Sequence, residues 1–318
     1  MKELCVVHLV RALNGIEPFE RFLESYRQHP GGTDHDFLIV FKGFDSPNEK
    51  AEHLKLLAPF RYFTLDVDDA GFDITAYFAA VRKHAGEYRY FCFLNSFSVI
   101  LDSGWASKLY QQISLHGVGL VGATGSWQSH RGSGMLWLLM TMVDVAIRDF
   151  LLHRDKPVMS RLAPSTKAGW QRGLYIRNYI QFPNYHLRTN TFMISSELMD
   201  KIIFHEIKSK ADAYEFESGQ NGLTQQVLAM GKAVLVVGKD GVGCEKERWN
   251  ESRTFWQTEQ ENLLVSDNQT RDYQYGSKQR RKSLSNGAWT KLTGWHVLKL
   301  KVRYFVVLCW MKFTGIDK

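Results

Sequence analysis

Cysteine is scarce in this chain: 318 residues carry four, at Cys5, Cys92, Cys244 and Cys309. They lie far apart and two sit inside apolar runs, which excludes a disulfide framework and fits reduced packing residues in a reducing compartment. Long hydrophobic runs are missing too. Nothing reaches the roughly 18 to 20 continuous apolar residues that a spanning helix needs. Met1 to Val10 reads as a short strand interrupted by His8, without a signal peptide's sustained apolar core, so the expected location is cytoplasmic and the Asn-x-Ser/Thr matches at Asn250 and Asn268 are coincidental. No Cys or His cluster has metal-ligand spacing, and no Gly-x-Ser-x-Gly is present. Gly238-Lys239-Asp240-Gly241-Val242-Gly243 is rich in glycine but lacks the Gly-Lys-Ser/Thr ending of a phosphate loop. Internal repeats, low-complexity tracts and nucleic-acid-binding modules are likewise absent.

What is present is globular: 44% hydrophobic and 23% charged residues, enough for one large domain or two ordinary ones. The formal charge of +7 is uneven. Residues 271–318 hold eleven Lys and Arg against two carboxylates, Asp272 and Asp317, an excess of nine that leaves residues 1–270 at a net −2. Basicity belongs to the C-terminal segment.

The most informative stretch is Tyr90-Phe91-Cys92-Phe93-Leu94-Asn95-Ser96-Phe97-Ser98, an apolar run that stops on small polar residues. Such a run predicts a strand buried on both faces, and the C-terminal edge of such a strand is where open α/β sheets hold ligands. Around it the pattern alternates. Strands are expected at Leu4 to Val10, Asp36 to Phe41, Arg61 to Leu65 and Gly117 to Ala123, and helices at Glu17 to Tyr26, Glu49 to Leu57, Ile74 to His84 and Trp105 to Leu115. Alternation with short connections predicts a mostly parallel sheet flanked by helices. Its strand-end loops, among them Lys42 to Pro47, Asp66 to Asp73 and Asn95 to Ser98, would meet at one edge. Later, Gly134 to Leu152 reads as an apolar helix, followed by a strand at Thr191 to Ile194, a helix near Glu197 to Phe204, a loop from Tyr214 to Asn221, a helix from Gly222 to Met230 and a strand at Ala233 to Val237. Residues 238–287 read as polar and rich in loops.

Three blocks in this order resemble bacterial glycosyltransferases of the GT-A fold, near family 2 and the rhamnan-synthesis-like proteins. They are Asp69-Ala70-Gly71-Phe72-Asp73-Ile74-Thr75-Ala76-Tyr77; Phe93-Leu94-Asn95-Ser96-Phe97-Ser98 with the Gly117-to-Gly122 strand behind it; and Glu215-Phe216-Glu217-Ser218-Gly219 before Leu223-Thr224. The resemblance covers about residues 4–240. It implies a GT-A-like, Rossmann-like α/β fold divided as a nucleotide-sugar half (1–127), a helical apolar insertion (128–185), an acceptor and catalytic half (186–270) and a basic amphipathic tail (271–318).

The resemblance also implies roles. In the family the second block supplies an Asp-x-Asp carboxylate that holds a divalent metal on the donor diphosphate, and Phe97 stands where it would be; phenylalanine has no oxygen ligand to offer Mg²⁺ or Mn²⁺. Asp66-Val67-Asp68 spells the motif one helix too early. No metal cofactor is therefore expected, and fixed cations must meet the leaving diphosphate: Arg188 first, then Lys239, Arg248 or Arg253. Arg188 also fits a structural ion pair. Glu217 is expected as the base that takes the acceptor's proton, with Glu215 as runner-up; a helix-capping or dipole-compensating role fits Glu217 as well. Asp69 and Asp73 are expected at the nucleotide, although Asp73 also fits a helix cap. Asn95 and Ser96 are expected at ribose or phosphate and Ser98, with Phe97, at the sugar. Lys42 and Asp45 are weaker candidates, and His8 reads as a satisfied core histidine.

Basic and aromatic residues interleave over 295–313, a pattern suited to an anionic membrane interface or to a helix docked on the protein's own core. The Gly134 to Leu152 helix fits bilayer contact, an acceptor site or burial. Together these imply an inverting transferase that moves a sugar from a nucleotide donor to a lipid-linked glycan of a bacterial surface polysaccharide, O-antigen or capsule, at the inner membrane face. The rival class is a non-catalytic sugar-nucleotide or glycan-binding subunit of an assembly complex.

Overall fold

The computed structural model describes residues 1–129, 131 and 178–291. The chain divides into two compact units, one of residues 1–127 and 185–289, the other of 128–184 and 290–318. The expected apolar helix at 134–152 and the interface segment at 295–313 fall outside the described residues. Within the second unit the Ser129 hydroxyl donates to the Ile180 carbonyl, and Arg131 donates to the carbonyl of Tyr179.

The first unit is built on an eight-stranded sheet, in the order β11-β10-β6-β9-β4-β1-β2-β3. Its strands are β1 (Lys2–Arg11), β2 (Asp36–Lys42), β3 (Phe63–Val67), β4 (Tyr88–Leu94), β6 (Val118–Gly122), β9 (Thr191–Ser195), β10 (Ala233–Val237) and β11 (Gly243–Glu245). Three short strands, β5 (Val99–Ile100), β7 (Gly125–Ser126) and β8 (His186–Leu187), lie outside this sheet, as does β12 (Val265–Ser266), which pairs with β5. The pairs β4-β1, β1-β2, β2-β3 and β10-β6 are parallel, whereas β9 runs antiparallel to both β4 and β6 and β11 to β10. The sheet is thus mostly parallel and mixed, the α/β class that the alternating sequence predicts.

Period two explains the burial. In β1, Cys5, Val7 and Leu9 face one apolar layer and Leu4, Val6 and Val10 the other; in β4, Phe91 and Phe93 face the first and Tyr90, Cys92 and Leu94 the second. The first layer is closed by α3 (Phe72–Lys83), α5 (Ser196–Lys201), α6 (Lys210–Ser218) and α7 (Leu223–Ala229), which contribute Tyr77, Phe78, Met199, Phe216 and Val227. The second is closed by α1 (Glu17–Gln28) and α4 (Trp105–Ile113), with Phe19, Phe22, Trp105 and Leu109. Helix α2 (Pro47–Leu56) starts on a Ser46–Glu49 capping box. Each fully buried aromatic contributes about 1.5–3 kcal/mol of transfer free energy, and Phe91 and Phe93 are buried completely.

Three expectations need correcting. Glu215 to Ser218 are not in a loop: Ser209 and Asp212 form a capping box and start α6, which runs through Ser218. Residues 246–289 carry their own small core around Phe255, Trp256, Tyr273 and Ala288, and end in α8 (Asn268–Tyr275) and α9 (Lys278–Trp289). The basic segment therefore begins as folded structure of the first unit, not as a tail. His8 is a core residue, as expected, but not a satisfied one. It is fully buried, stacked 3.5 Å from the Phe22 ring, and neither ring nitrogen has a hydrogen-bond partner among the described residues.

Burial holds His8 neutral, with its pKa well below the ordinary histidine value. The unfolded chain binds this proton below about pH 6.5 and the folded chain does not. Stability contributed by His8 is therefore complete above pH 6.5 and declines on acidification, with a limiting slope of about 1.4 kcal/mol per pH unit. Urea unfolding between pH 7.5 and 5 should show a shallower decline in His8→Leu than in the parent.

Candidate active site

Strand direction decides which residues meet. The C-terminal ends of β1, β2, β3, β4, β6 and β10 share one edge, and because β9 is reversed the residues preceding it, Arg188 to Asn190, arrive at that same edge. The junction is hydrogen-bonded: Asn95 N donates to the Asn190 carbonyl at 2.9 Å and Ala123 N to the Thr191 carbonyl at 3.1 Å. There a cavity of about 290 Å³ opens, walled by Phe72, Asp73 and Ile74 from the start of α3, Asn95 and Phe97 after β4, Arg188 to Asn190 before β9, Lys210, Tyr214 and Glu217 from α6, and Asn268 and Gln269 at the start of α8.

The Asp69–Asp73 loop is held from below. Lys42 is completely buried, and its ammonium donates to the carbonyls of Asp68, at 3.0 Å, and Ala70. Burial lowers its pKa, with Asp69, at 3.8 Å, opposing that effect. Arg11 grips both Asp69 oxygens, at 2.6 and 2.7 Å, and holds that carboxyl below its ordinary pKa. Gly71 and Phe72 both take positive φ, 71° and 53°. A Cβ at Gly71 would lie 1.7 Å from the Thr75 hydroxyl, so glycine is required there. The turn starts α3 at Phe72, placing Asp73 within the first helical turn and not at the cap, where the sequence had also allowed it. Asp73 makes no hydrogen bond among the described residues. Its pKa is pushed up to about 6, chiefly by desolvation and further by Glu217, against the pull of Arg11 and Lys42.

Glu217 faces the same cavity from α6. One of its oxygens accepts from Thr189 N at 2.7 Å and from the Thr189 hydroxyl at 2.8 Å. Arg188 is only 7% exposed, pairs with the fully buried Asp267 at 2.8 Å and stacks 4.5 Å from the Phe255 ring centroid. Burial alone would raise Asp267, but the Arg188 charge and the hydrogen bonds of Arg188 and Thr270 outweigh it and leave the carboxyl below its ordinary pKa. The other terminal nitrogen of Arg188, Nη1, is buried without a partner among the described residues, as is the Asn190 amide nitrogen. Arg188 is thus a structural ion-pair residue, and its side chain also lines the cavity.

Not every expected residue is at this cavity. Asn95 lines it, but its amide oxygen is committed to Phe97 N and the Ser98 hydroxyl, at 3.1 and 3.0 Å. Ser98 is fully buried beneath the corner and supports Asn95 instead of lining a sugar site. Ser96 accepts from Asn14 at 2.7 Å and Asp69 is turned to Arg11, so both shape the loops around the cavity. Glu215 lies on α6 two residues from Glu217, outside the wall. Arg253 lines a separate cavity of about 430 Å³ beside β10 and β11, with Arg248 and Cys244, and pairs with Glu261 at 3.5 Å. Lys239 follows β10 and lines neither. The structure therefore brings together Asp73, Asn95, Arg188 and Glu217 and leaves Lys239 and Arg253 elsewhere.

Lys210, Tyr214, Asn268, Gln269 and Asp267 were not legible as site residues. The Ser209–Asp212 capping box was the one signal that could have placed Lys210 and Tyr214 on a helix. The Phe97 side chain offers no ligand atom, Asp69 is gripped by Arg11, and among the described residues no three His, Cys, Asp or Glu side chains converge.

No protein-family model matches the chain, and no curated protein matches it in sequence. Among solved structures, a mannosyltransferase from Pyrobaculum calidifontis, in complex with GDP-Man and Mn²⁺, is similar over 90% of this chain and 68% of that one, at 10% identity and a TM-score of 0.43. The 4-diphosphocytidyl-2C-methyl-D-erythritol synthase of Anaerococcus prevotii is similar over 74% and 88%, at 10% identity and a TM-score of 0.39. An active-site mutant of LgtC gives 74% and 72%, at 11% and 0.39. Likenesses this slight say nothing of the chemistry of the cavity.

Removing Arg188 leaves Asp267 as an unpaired buried charge, which typically costs about 3–5 kcal/mol. Arg188→Leu should lower the unfolding free energy by that amount in urea titrations, and the double variant Arg188→Leu/Asp267→Asn should recover a large part of it. A single variant as stable as the parent would show that the pair is not formed.

Proposed function

We propose that this protein is a glycosyltransferase that binds a nucleotide-sugar donor in the cavity at the sheet's C-terminal edge and transfers the sugar to a hydroxyl acceptor. The observation that carries this is one cavity lined on the β9 side by Arg188 and Asn190, each with a buried nitrogen that has no partner among the described residues, and on the α3 and α6 side by two carboxylates, Asp73 and Glu217. Sugar transfer needs both. The breaking glycosidic bond leaves negative charge on a diphosphate, which fixed donors in a poorly solvated site stabilise, and the attacking hydroxyl must lose a proton to a carboxylate. A carboxylate opposite the leaving group fits inversion at the anomeric carbon.

The finer reading follows from the sequence. Basic and aromatic residues over 295–313 suit an anionic membrane face, which supports a lipid-linked glycan acceptor and a role in bacterial surface polysaccharide assembly, peripheral to the membrane. Among the described residues no helix is long and apolar enough to cross a membrane. We further propose that donor binding needs no divalent metal, with the Arg188 guanidinium and the Asn190 amide donating to the diphosphate in its place.

Nucleotide diphosphates test this directly. UDP or GDP at a hundredfold excess over its Kd should raise Tm by about 4 °C, equally with and without EDTA, and Arg188→Lys should bind the same nucleotide at least tenfold more weakly. A shift abolished by EDTA would refute the metal-free reading. A protein that binds nucleotide sugars yet never turns one over would instead support the non-catalytic binding subunit.

A further inference from the structure

The two carboxylates of the cavity are not equivalent, and the difference assigns their roles. Glu217 is committed: one oxygen accepts both the Thr189 amide and the Thr189 hydroxyl. Two bonds to one oxygen hold the carboxylate in place, and they tie α6 to the segment that carries Arg188. Asp73 is uncommitted. It lines the same cavity from the first turn of α3 and has no hydrogen bond among the described residues, although Lys42 and Arg11 both bond to its loop. The neighbouring cations are occupied, Arg11 by both oxygens of Asp69 and Lys42 by the carbonyls of Asp68 and Ala70. Phe72 and Phe97 line the wall beside it.

We infer that Asp73, and not Glu217, is the proton acceptor of this site, with Glu217 acting as a positioning residue for Thr189 and Arg188. The inference deepens the transferase reading and rests on it. In the step, the acceptor hydroxyl gives its proton to an Asp73 oxygen while its own oxygen lone pair forms the bond to the anomeric carbon. The bond from that carbon to the diphosphate oxygen breaks, and its electron pair leaves on the diphosphate, opposite Arg188 Nη1. Asp73 then returns the proton to solvent.

Geometry selects the residue and burial tunes it. The charged and titratable groups that face Asp73 are Arg11 from the end of β1, Lys42 from the end of β2, Tyr77 one turn along α3 and Glu217 from α6. Across the cavity lie Lys210 and Arg188. Desolvation and Glu217 outweigh the two cations and bring the carboxyl to about 6, a value suited to accepting a proton near neutrality. Since the base works deprotonated, turnover rises with pH through that value and levels above it.

The test compares Asp73→Asn with Glu217→Gln, reading UDP or GDP release from UDP-glucose, UDP-galactose, UDP-N-acetylglucosamine and GDP-mannose, with water and octyl glycosides as acceptors. Calorimetric Kd values for UDP and GDP are measured in parallel. Asp73→Asn should lose about 10²–10⁴-fold in kcat with the nucleotide Kd within threefold of the parent, and should lose the acidic limb near pH 6. Glu217→Gln should keep that limb and weaken nucleotide binding. An Asp73→Asn variant within tenfold of parental kcat, or one that keeps the limb while Glu217→Gln loses it, overturns the assignment and leaves the transferase reading intact. A parent protein that binds UDP or GDP but releases neither from any donor overturns the transferase reading, and the role of Asp73 with it.

Discussion

Strand β9 runs against its neighbours, and that reversal sets the chemistry of the edge. In a parallel sheet each strand delivers to the ligand edge only the residues that follow it. An antiparallel strand delivers the residues that precede it, so Arg188, Thr189 and Asn190 reach a place otherwise supplied by the ends of β1, β2 and β4. The ladder is tightly specified: Leu94 pairs with Thr191 and Phe93 with Phe192 on one side, Gly122 with Phe192 on the other. A slip by one residue would turn Phe192 and Ile194 out of their apolar layer. The register that buries those side chains therefore also fixes the height of Arg188 above the cavity.

Around that edge, charge is removed from water only where a partner compensates it. Lys42 is wrapped by carbonyls and steadied by Asp69, Asp69 by Arg11, and Asp267 by Arg188 and its own helix. Buried pairs of this kind add little net stability, because desolvation offsets most of the Coulombic gain, but they penalise any rearrangement that separates them. The exceptions lie at the cavity. Among the described residues Arg188 keeps one nitrogen and Asn190 its amide nitrogen without an acceptor, and Asp73 lines the cavity without a hydrogen bond. A ligand that is anionic at one end and hydroxylic at the other satisfies both sets.

The sheet was legible because its strands are short apolar runs that end on polar residues, and the helices of residues 1–115 because their apolar faces recur at helical spacing. Helix α6 was not, since Glu215-Phe216-Glu217 shows one apolar residue between two acids and the capping box six residues earlier is the stronger signal. The segment around Trp249, Phe255 and Trp256 has no periodicity. Its fold is set by side chains bonding to backbone, Gln257 to the Trp249 carbonyl, Gln260 to the Thr270 carbonyl and Asn262 to the Ser252 carbonyl, and such bonds leave no period in a sequence. The same holds for Asp267, whose partner is 79 residues away. At the cavity, Asn95 and Arg188 could be named from sequence because strand ends are recognisable, and Asp73 and Glu217 because their blocks resemble those of a known family. Which carboxylate is free and which is tied depends on a single contact with Thr189, visible only in three dimensions.

Phe97 joins the two halves of this picture. Its backbone is pinned at both ends, its N–H to the Asn95 amide oxygen and its carbonyl to Arg271 at 3.1 Å, so the corner keeps its shape whatever side chain stands there. A carboxylate at this position would draw water and cations into the cavity and favour ionisation of its surroundings only through a bound metal. A phenyl ring does the reverse. Together with Phe72, held at a positive φ that costs a bulky residue about 1–3 kcal/mol, it makes an apolar wall beside Asp73, and an apolar wall raises the proton affinity of a carboxylate by withholding solvent.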